Sequence, residues 1–319
     1  MYNVYGHWLK FPEVKNKFTE FMQNPNVLNF SRIGGSDYLI VKHYYNDNSF
    51  FDNQSNYDCW LKMAKNYNGY FDFANKKENF MLYVQQLLKY YKDSDAACYC
   101  NSDLIYEIDG QTPITKETIN FLNYIIDGKT IINFSFIEDT YPFLETFKIW
   151  GEGKKILIVS PFSQSLQYQY KRIDKIINNY TWPNFELSTV SSNLTWQADT
   201  DTKETLDLMT DNWHEEVERL QDEISKIDFD IAFLSCGSYA MSAGYFIKNT
   251  MGKKSIYIGG PLNTLFGIYG GRYDIPQCWG ITDPEYRLNP FENEKVKKVT
   301  AGRISYDGCM DYFGEAKKE

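Results

Sequence analysis

From residue 155 onward, short apolar runs alternate with longer segments whose apolar residues recur every three or four positions. The runs predict buried β-strands, and the helical spacing predicts amphipathic helices between them. The predicted strands cover residues 155–160, 185–190, 230–235 and 254–258, and the predicted helices cover residues 163–177, 202–226 and a segment that begins near Ser238. Chains with this alternation form a parallel sheet with helices on both faces. We therefore predict an α/β fold with a Rossmann-like, mostly parallel sheet.

The first half of the chain contains the same kinds of element in a less regular order. Helical spacing covers residues 14–22, 80–91 and 117–126, and short apolar strands cover residues 96–100 and 130–136. Residues 46–73 are rich in Asn, Asp, Gly and aromatic residues and show no steady period. A long active-site loop, a set of short helical turns and plain surface packing all fit that segment.

We predict one α/β domain over residues 1–319. An internal division at residue 150 would separate a first half, 1–150, from a second half, 151–319, and the stretch Gly151-Glu152-Gly153 is the candidate hinge. Residues 273–319 form a tail with Pro, Gly and aromatic residues, which either wraps an edge of the sheet or covers a site.

The composition indicates which binding partners to exclude and in which cellular compartment to expect the protein. The formal net charge of −9 argues against a nucleic-acid partner, because a broad phosphate-binding surface needs clustered Lys and Arg. The six cysteines show no C-x-x-C pair, which is typical of reduced thiols in the cytoplasm. The first residues lack a secretory signal pattern, and no run approaches the roughly 18 apolar residues of a membrane-spanning helix. We expect a cytoplasmic protein without a membrane span.

The stretch Arg32-Ile33-Gly34-Gly35-Ser36-Asp37 joins an apolar strand to a new apolar run. Glycines let a strand turn sharply into a helix and leave backbone N–H groups free at the helix start, where a phosphate binds well. With Arg32 and Asp37 on either side, the turn is a candidate site for a nucleotide diphosphate. Strand-Gly-Gly-helix turns also occur for packing reasons alone, so this stretch leaves both interpretations open.

Three further strand ends carry turns of small residues. Ligands of open α/β sheets bind outside the carboxyl ends of the strands, where such turns gather. Hydroxyls and free amides suit a phosphate or a sugar hydroxyl better than an apolar ligand, although small residues also simply permit tight turns. The candidate residues are Ser160, Phe162, Ser163 and Gln164 after the first strand of the second half, Gly237 and Ser238 after the third, and Gly259 and Gly260 after the last.

Several enzyme classes lose their main support. No G-x-x-x-x-G-K-[ST] loop and no G-x-G-x-x-G fingerprint occurs, which argues against P-loop kinases and NAD-dependent dehydrogenases. Cys236-Gly237-Ser238 lacks the G-x-S-x-G elbow of a serine nucleophile. His214 lies in an acidic helical segment and is predicted to be solvated, whereas His43 fits either a core or a surface position.

The carboxylates decide which residues could hold a metal ion. Asp37 is the acidic residue inside the Gly-rich turn, while Asp47, Asp52 and the pair Glu138-Asp139 follow elsewhere. A divalent ion that bridges a diphosphate often uses only one or two protein carboxylates together with phosphate oxygens. Asp37 is therefore the candidate metal ligand, and the Glu138-Asp139 pair is more typical of solvated charge.

Three segments, in order, resemble the GT-D-fold glycosyltransferases, a bacterial family that builds glycans on adhesins and surface polysaccharides. SRIGGSDYLIV, at residues 31–41, is similar to that family's Arg-Phe-Gly-Asp-Gly-Glu segment, which carries an Asp-x-Glu motif for metal and nucleotide sugar. KKILIVSPFSQSLQYQY, at 154–170, is similar to its strand ending in Gly-Pro-Phe. DIAFLSCGSYAMSAGYFIKNTMGKKSIYIGG, at 230–260, resembles its late strand, Leu-Gly-Pro-Thr-Ala turn, helix and Asp-Ile-Gly-His strand end.

The resemblance implies transfer of a sugar from a nucleotide-sugar donor, expected to be a UDP-sugar, to a saccharide or glycoprotein acceptor. It assigns the donor diphosphate to Arg32, and a divalent ion (Mn²⁺ or Mg²⁺) or a sugar hydroxyl to Asp37. The other candidate turn residues would contact donor or acceptor hydroxyls. Gly35 stands where the family has its first carboxylate, Asp37 where it has the Glu, and Gly260 where it has the His. One of the two metal-binding carboxylates is therefore missing.

Two other functions stay open on the sequence. The missing carboxylate fits a non-catalytic partner that binds a sugar nucleotide or a glycan within an assembly complex. The alternating second half alone also fits another Rossmann-like transferase, such as a methyltransferase. That enzyme would need an acidic residue at the end of the next strand for a ribose, and Glu107 and Asp109 come too late in the chain for this role.

Overall fold

Parallel strands form one sheet in the computed structural model, which describes residues 4–5, 11–33, 35–99, 116–127, 129–133, 141–195, 210–269 and 281–294. The strands are β1 Val4–Tyr5, β2 Asn29–Ile33, β3 Ala96–Tyr99, β4 Thr130–Asn133, β5 Lys155–Ser160, β6 Glu186–Ser191, β7 Ile231–Leu234 and β8 Lys254–Tyr257. They lie in the order β1-β4-β3-β2-β8-β7-β5-β6, and every neighbouring pair is parallel.

Helices connect and cover these strands. They are α1 Phe11–Gln23, α2 Gly35–Asn46, α3 Gln54–Met63, α4 Lys77–Asp93, α5 Lys116–Ile126, α6 Tyr141–Trp150, α7 Ser163–Tyr170, α8 Trp213–Ser225, α9 Tyr239–Asn249 and α10 Pro261–Leu265. A π-helical turn, Ala64–Asn68, follows α3. Within the described ranges, no helix combines the length and the apolar character that crossing a bilayer requires.

The sheet packs against a hydrophobic cluster on each face. Successive residues of β5 alternate between the clusters: Leu157 and Val159 belong to one, and Ile156 and Ile158 belong to the other. The alternation follows from the two-residue period of a strand, and a strand buried on both faces must be apolar throughout. Helices α2, α4, α5, α8 and α9 contribute to the first cluster, and α1, α6 and α7 contribute to the second. The predicted α/β fold with helices on both faces is confirmed.

One helix is shorter than its periodic pattern suggests. The pattern predicts a helix over residues 163–177, whereas α7 ends at Tyr170. Ile177 instead forms a β-bridge with Thr282, so its apolar side chain is buried against the later segment 281–294. Ile173 and Ile177 both belong to the second hydrophobic cluster, so their helical spacing reflects burial and not the continuation of the helix.

The structure also bears on the predictions for residues 202–226 and 46–73. The helix predicted over 202–226 includes residues 202–209, which lie outside the described residues, and the observed α8 begins at Trp213. The Asn212 side chain caps it by accepting hydrogen bonds from backbone N–H groups of the first turn. The segment 46–73 is not a long open loop: it contains two short helical turns, Phe50–Asp52 and Ala64–Asn68, and between them the ten-residue helix α3, which is longer than the short turns that the sequence left open.

The two halves of the chain contribute strands to the same sheet. β2, from the first half, pairs with β8, from the second, with Phe30 opposite Ile256. Gly151, the candidate hinge, lies directly after α6 and is buried. A Cβ atom there would lie 2.5 Å from the ring of Phe147, so packing requires a glycine at this position.

Three central strands end side by side at one edge of the sheet. β2, β8 and β7 are neighbours, so their last residues, Ile33, Tyr257 and Leu234, lie along that edge. From β2 the chain moves to β3 on one side, and from β5 it moves to β6 on the other side. In open α/β sheets, a ligand-binding crevice forms at the carboxyl ends of strands where the connections diverge in this way.

Candidate functional site

Arg32 places a positive charge at the carboxyl end of β2. Its guanidinium carbon lies 5.6 Å from the centre of the Tyr257 ring, at the end of the neighbouring strand β8. Gly259 follows with a positive φ of 71°, and a Cβ atom at that position would lie 2.8 Å from Arg32 Nη1. The glycine therefore serves both the backbone turn and the space that the guanidinium occupies.

Asp37 lies in the first turn of α2, where a carboxylate interacts favourably with the helix N-terminus. The hydroxyl of Tyr83, on α4, donates a hydrogen bond of 2.8 Å to Asp37 Oδ1. The side-chain amide of Asn68 also donates to Oδ1, and it lies 3.4 Å from the Tyr83 hydroxyl. Asn68 is the last residue of the π-helical turn, a distortion that is frequent at functional sites.

The environment of Asp37 changes the pKa of its carboxyl group. Burial raises that pKa to about 6, while the hydrogen bond from Tyr83, the charge of Arg32 and the hydrogen bond from Asn68 oppose the rise. Burial and the nearby Asp37 carboxylate also raise the pKa of Tyr83 well above its ordinary value. At neutral pH, Asp37 is therefore mostly ionised, and Tyr83 keeps the proton that it donates.

Residues from the turns after β2, β8 and β7 and from the π-helical turn lie near one another. The Tyr257 hydroxyl donates to the backbone carbonyl of Gly237, at 3.1 Å. A Cβ atom on Gly237 would lie 3.8 Å from the backbone carbonyl oxygen of Asn68, whose side chain binds Asp37. Asp37 in turn interacts electrostatically with Arg32, which lies over Tyr257. We call Arg32, Asp37, Asn68, Gly237 and Tyr257 the strand-end cluster.

The turn after β7 contributes its backbone and not its side chains to this cluster. Gly237 is exposed and has a positive φ of 58°. Ser238 is buried, and its hydroxyl accepts a hydrogen bond of 2.8 Å from Trp213 Nε1. Burial raises the pKa of the Cys236 thiol far above its usual range, so this thiol stays protonated and is a poor nucleophile.

The turn after β5 is filled by the chain itself. Ser160 is fully buried, and its hydroxyl accepts a hydrogen bond from the Phe162 backbone N–H at 3.2 Å, while the Phe162 ring lies in the core. The carboxylate of Glu294 accepts hydrogen bonds from the backbone N–H groups of Gln164 and Ser165, at 2.7 and 3.2 Å, and from the Ser165 hydroxyl. We call this contact the α7 cap.

The remaining candidate residues have these positions. Gly34 lies outside the described residues, and Gly35 and Ser36 begin α2, so the helix starts directly at the Gly-rich turn. The backbone carbonyl of Gly259 accepts a hydrogen bond of 2.9 Å from Ser235. Gly260 precedes α10 as its N-cap residue, and Ser163 is half-buried at the start of α7. The structure therefore brings Arg32, Asp37, Gly237 and Gly259 together, and the α7 cap occupies the amides near Ser163.

The described residues around Asp37 do not build a metal site by themselves. One carboxylate is present, its Oδ1 already accepts two hydrogen bonds, and the positive charge of Arg32 lies nearby. Across the described ranges, no group of at least three His, Cys, Asp or Glu residues is arranged to hold an ion. Metal binding at Asp37 stays a prediction, and no step below depends on it.

The histidines take no part in the cluster contacts described above. His214 is half-buried, its Nε2 lies 2.8 Å from the Asn79 carbonyl oxygen, and burial lowers the pKa of its ring, so the prediction of a solvated residue is wrong. His43 stacks on Phe50 with ring centres 4.6 Å apart, and burial also lowers the pKa of its ring. His7 lies outside the described residues.

The sequence did not reveal three members of the site. Tyr257 carried a usable signal, since it is the last aromatic residue of a predicted strand and lies two residues before Gly259. Asn68 lies in a segment without a period, and Tyr83 lies within a helix that is rich in tyrosine, so neither stands out. Their roles depend on contacts between elements that are distant in the chain.

Two solved structures of the domain of unknown function 1792 are similar to this chain. One, described as showing that this highly conserved domain has a distinct glycosyltransferase fold, is 11% identical and has a TM-score of 0.44; the match covers 81% of this chain and 78% of that one. The other, a selenomethionine-substituted structure of the domain, is 12% identical with a TM-score of 0.38, over 78% and 82% of the two chains. No family model and no curated protein matches the chain.

Both TM-scores lie below 0.5, so the likeness assigns no family to this chain. At this level of similarity it carries no assignment of individual residues, so the roles of Arg32, Asp37 and their neighbours depend on the geometry of the site.

Proposed function

We propose that this protein is a glycosyltransferase that moves a sugar from a nucleotide-sugar donor to a saccharide acceptor. The observation that supports the proposal is the strand-end cluster. A guanidinium and a carboxylate that interact electrostatically lie at the carboxyl ends of β2, β8 and β7, the edge where α/β sheets bind their ligands. A nucleotide sugar has an anionic diphosphate next to a neutral, hydroxyl-rich ring, and these two parts suit the two groups.

Arg32 is the group proposed to bind the diphosphate. Negative charge grows on the leaving nucleoside diphosphate as the bond to the sugar breaks, and a guanidinium stabilises that charge through charge-assisted hydrogen bonds. Tyr257 and Gly259 hold the guanidinium between a ring and a backbone turn. The exposed backbone of Gly237 and the N-terminus of α2 add polar backbone groups at the same edge.

The finer identity of the reaction is taken from the sequence resemblance. We propose a UDP-sugar as donor and a surface polysaccharide or glycoprotein glycan as acceptor, with the protein acting in the cytoplasm. A divalent ion held mainly by the donor phosphates is compatible with a single protein carboxylate. Manganese is therefore a variable in the experiment.

A titration of the purified protein tests the proposal. UDP, UDP-glucose, UDP-galactose and UDP-N-acetylglucosamine are titrated by calorimetry with and without MnCl₂, and release of UDP from each donor is measured. At least one donor should bind and be turned over. Arg32→Gln should weaken UDP binding by about thirtyfold, the value of one charge-assisted contact of about 2 kcal/mol.

The matched control is Arg172→Gln. The Arg172 guanidinium lies 4.7 Å from the Tyr168 ring on the α7 side of the molecule, so its removal should leave UDP binding unchanged. Failure of UDP and of every donor to bind, or equal binding by the Arg32 variant, would refute the proposed site.

One observation favours a second function. Among the described residues the site contains a single carboxylate, and Tyr83 and Asn68 already hydrogen-bond one of its oxygens. A non-catalytic partner that binds a sugar nucleotide within a glycan assembly complex needs no more than this. Donor binding without any release of UDP, in the presence of glycan acceptors, would select this second function. In that case Asp37→Ala should retain binding of the nucleotide.

A further inference from the structure

Asp37 is held by two hydrogen-bond donors that come from different elements. Tyr83 lies on α4 and is fully buried, and Asn68 ends the π-helical turn and is 7% exposed. Both bonds end on Oδ1, and the two donors are also in contact with each other at 3.4 Å. The two bonds orient the carboxylate, and no hydrogen bond from the described residues reaches Oδ2, which leaves this oxygen as the acceptor for a ligand.

We propose that Tyr83 and Asn68 are positioning residues for the donor sugar, because they orient the Asp37 carboxylate toward one of the sugar's hydroxyl groups. The inference rests on the proposed function and names the part of the donor that this end of the site selects. It concerns residues of the first half of the chain, none of which needs to touch the nucleotide.

The charges around Asp37 favour a neutral hydroxyl over other ligand groups. A phosphate would be repelled by the carboxylate, and an ammonium group or a metal ion would be repelled by the nearby Arg32. A hydroxyl carries no charge and offers the proton that Oδ2 can accept. Because Arg32 lies within electrostatic range of Asp37, the diphosphate and the sugar of one donor molecule can reach the two groups together.

If the Tyr83 hydroxyl has only a structural role, a different result is expected. Tyr83 also packs edge-to-face on Trp213, at 4.9 Å between ring centres, so the hydrogen bond to Asp37 could serve only to tie α2 to α4. In that case the loss of the Tyr83 hydroxyl would change stability but would not change the preference of the protein for a nucleotide sugar over the bare nucleotide. This preference is therefore the quantity to measure.

The experiment compares UDP with UDP-glucose and UDP-galactose, and with their deoxy analogues, by calorimetry on the full chain. In the wild type, one UDP-hexose should bind about tenfold more tightly than UDP, and one deoxy analogue should lose that advantage. Tyr83→Phe should bind UDP as the wild type does and should lose the advantage of the hexose. Tyr90→Phe, which removes the hydroxyl of another buried tyrosine on α4, should retain the advantage.

Asp37→Asn keeps the shape of the side chain and provides a second test if Tyr83→Phe does not fold. It should bind UDP at least as tightly as the wild type, because a negative charge near the diphosphate is removed, and it should lose the preference for the hexose. The inference is overturned if either folded variant retains the full preference, if it weakens UDP and UDP-hexose equally, or if Asp37→Asn abolishes Mn²⁺ binding while the sugar preference survives. Failure of UDP to bind the wild type would instead refute the proposed function.

Discussion

The strand-end cluster and the α7 cap both lie at carboxyl ends of strands in one parallel sheet, yet they use their polar groups differently. At the α7 cap, the Glu294 carboxylate accepts hydrogen bonds from Gln164, Ser165 and the Ser165 hydroxyl, so the helix N-terminus is satisfied within the chain. In the strand-end cluster, the half-buried Asp37 carboxylate has a raised pKa although three neighbouring groups act to lower it.

The difference shows what separates a ligand site from a structural turn in this fold. A helix start after a strand offers free N–H groups in either case. The helix start can bind a ligand when no side chain of the same protein accepts hydrogen bonds from these N–H groups. Groups that are paired within the chain add to stability, whereas groups kept ready for a ligand cost stability in its absence. Three substitutions test this contrast.

Glu294→Ala should have the largest effect on stability. The variant removes the carboxylate that binds two backbone N–H groups and a hydroxyl in a buried setting, and we expect a loss of about 3 kcal/mol in the free energy of unfolding. Urea denaturation measures it. The control is Glu285→Ala, at an exposed carboxylate of the same segment, which should change stability by less than about 0.5 kcal/mol.

Glu294→Ala also tests whether the N-terminus of α7 binds a ligand. UDP affinity should not change, since we assign no ligand to the N-terminus of α7. Tighter binding of UDP by Glu294→Ala would mean that the cap blocks an anion site, and the distinction between the two regions would then fail.

Asp37→Asn should stabilise the protein at neutral pH by about 2 kcal/mol, because a half-buried and partly desolvated charge is removed. The pKa of Asp37 in the folded state, about 6, lies above its ordinary value of 3.8, so the folded state binds more protons between these values. The contribution of this group to stability is therefore greatest at low pH and is lost as the pH rises to about 6. The gain in the Asn variant should be larger at pH 7.5 than at pH 5.

Asp95 is the matched carboxylate with a structural role. At the start of β2, it accepts hydrogen bonds from the backbone N–H groups of Leu28 and Asn29. It also forms an ion pair with Lys248. Asp95→Asn should lower stability at both pH values. A destabilised Asp37→Asn variant at pH 7.5 would instead place Asp37 with Asp95 among the structural carboxylates.

Gly259→Ala should have the smallest effect and should act mainly on the ligand. The new Cβ atom would lie 2.8 Å from Arg32 Nη1 and would move the guanidinium, so UDP affinity should fall about tenfold, or about 1.4 kcal/mol. Gly252 has a similar positive φ of 63° with no atom within 4 Å of the added Cβ. Gly252→Ala should show the same backbone cost of about 1 kcal/mol in urea denaturation with unchanged UDP affinity.

Much of the fold could be predicted because local patterns carry it. β7 is apolar along its whole length, and β5 is apolar from Ile156 to Val159, as expected of strands that are buried on both faces. The end of α7 could not be predicted, since Ile173 and Ile177 keep the helical spacing beyond Tyr170, where the helix has already ended and both residues are buried in the second cluster. The sequence shows that a residue is apolar but not which element buries it.

The candidate site, like the fold, has parts that the sequence could predict and parts that it could not. Arg32, Asp37, Gly237 and Gly259 were predictable as members of turns at strand ends, because residue type and position along the chain place them there. The sequence could not show that Ser160 is fully buried or that Glu294 binds the amides near Gln164. Those outcomes depend on side chains that approach from elsewhere in the chain.

The sequence by itself determined the parallel sheet, the helices on its two faces and the set of strand-end turns, since each follows from a period or a residue type within a short window. Only the tertiary structure decided which turns meet. The strand order places β2 beside β8 and β7, although more than two hundred residues separate Arg32 from Tyr257 and Gly237. Asn68 and Tyr83 join Asp37 because a π-helical turn and α4 pack against α2, a contact that no local pattern encodes.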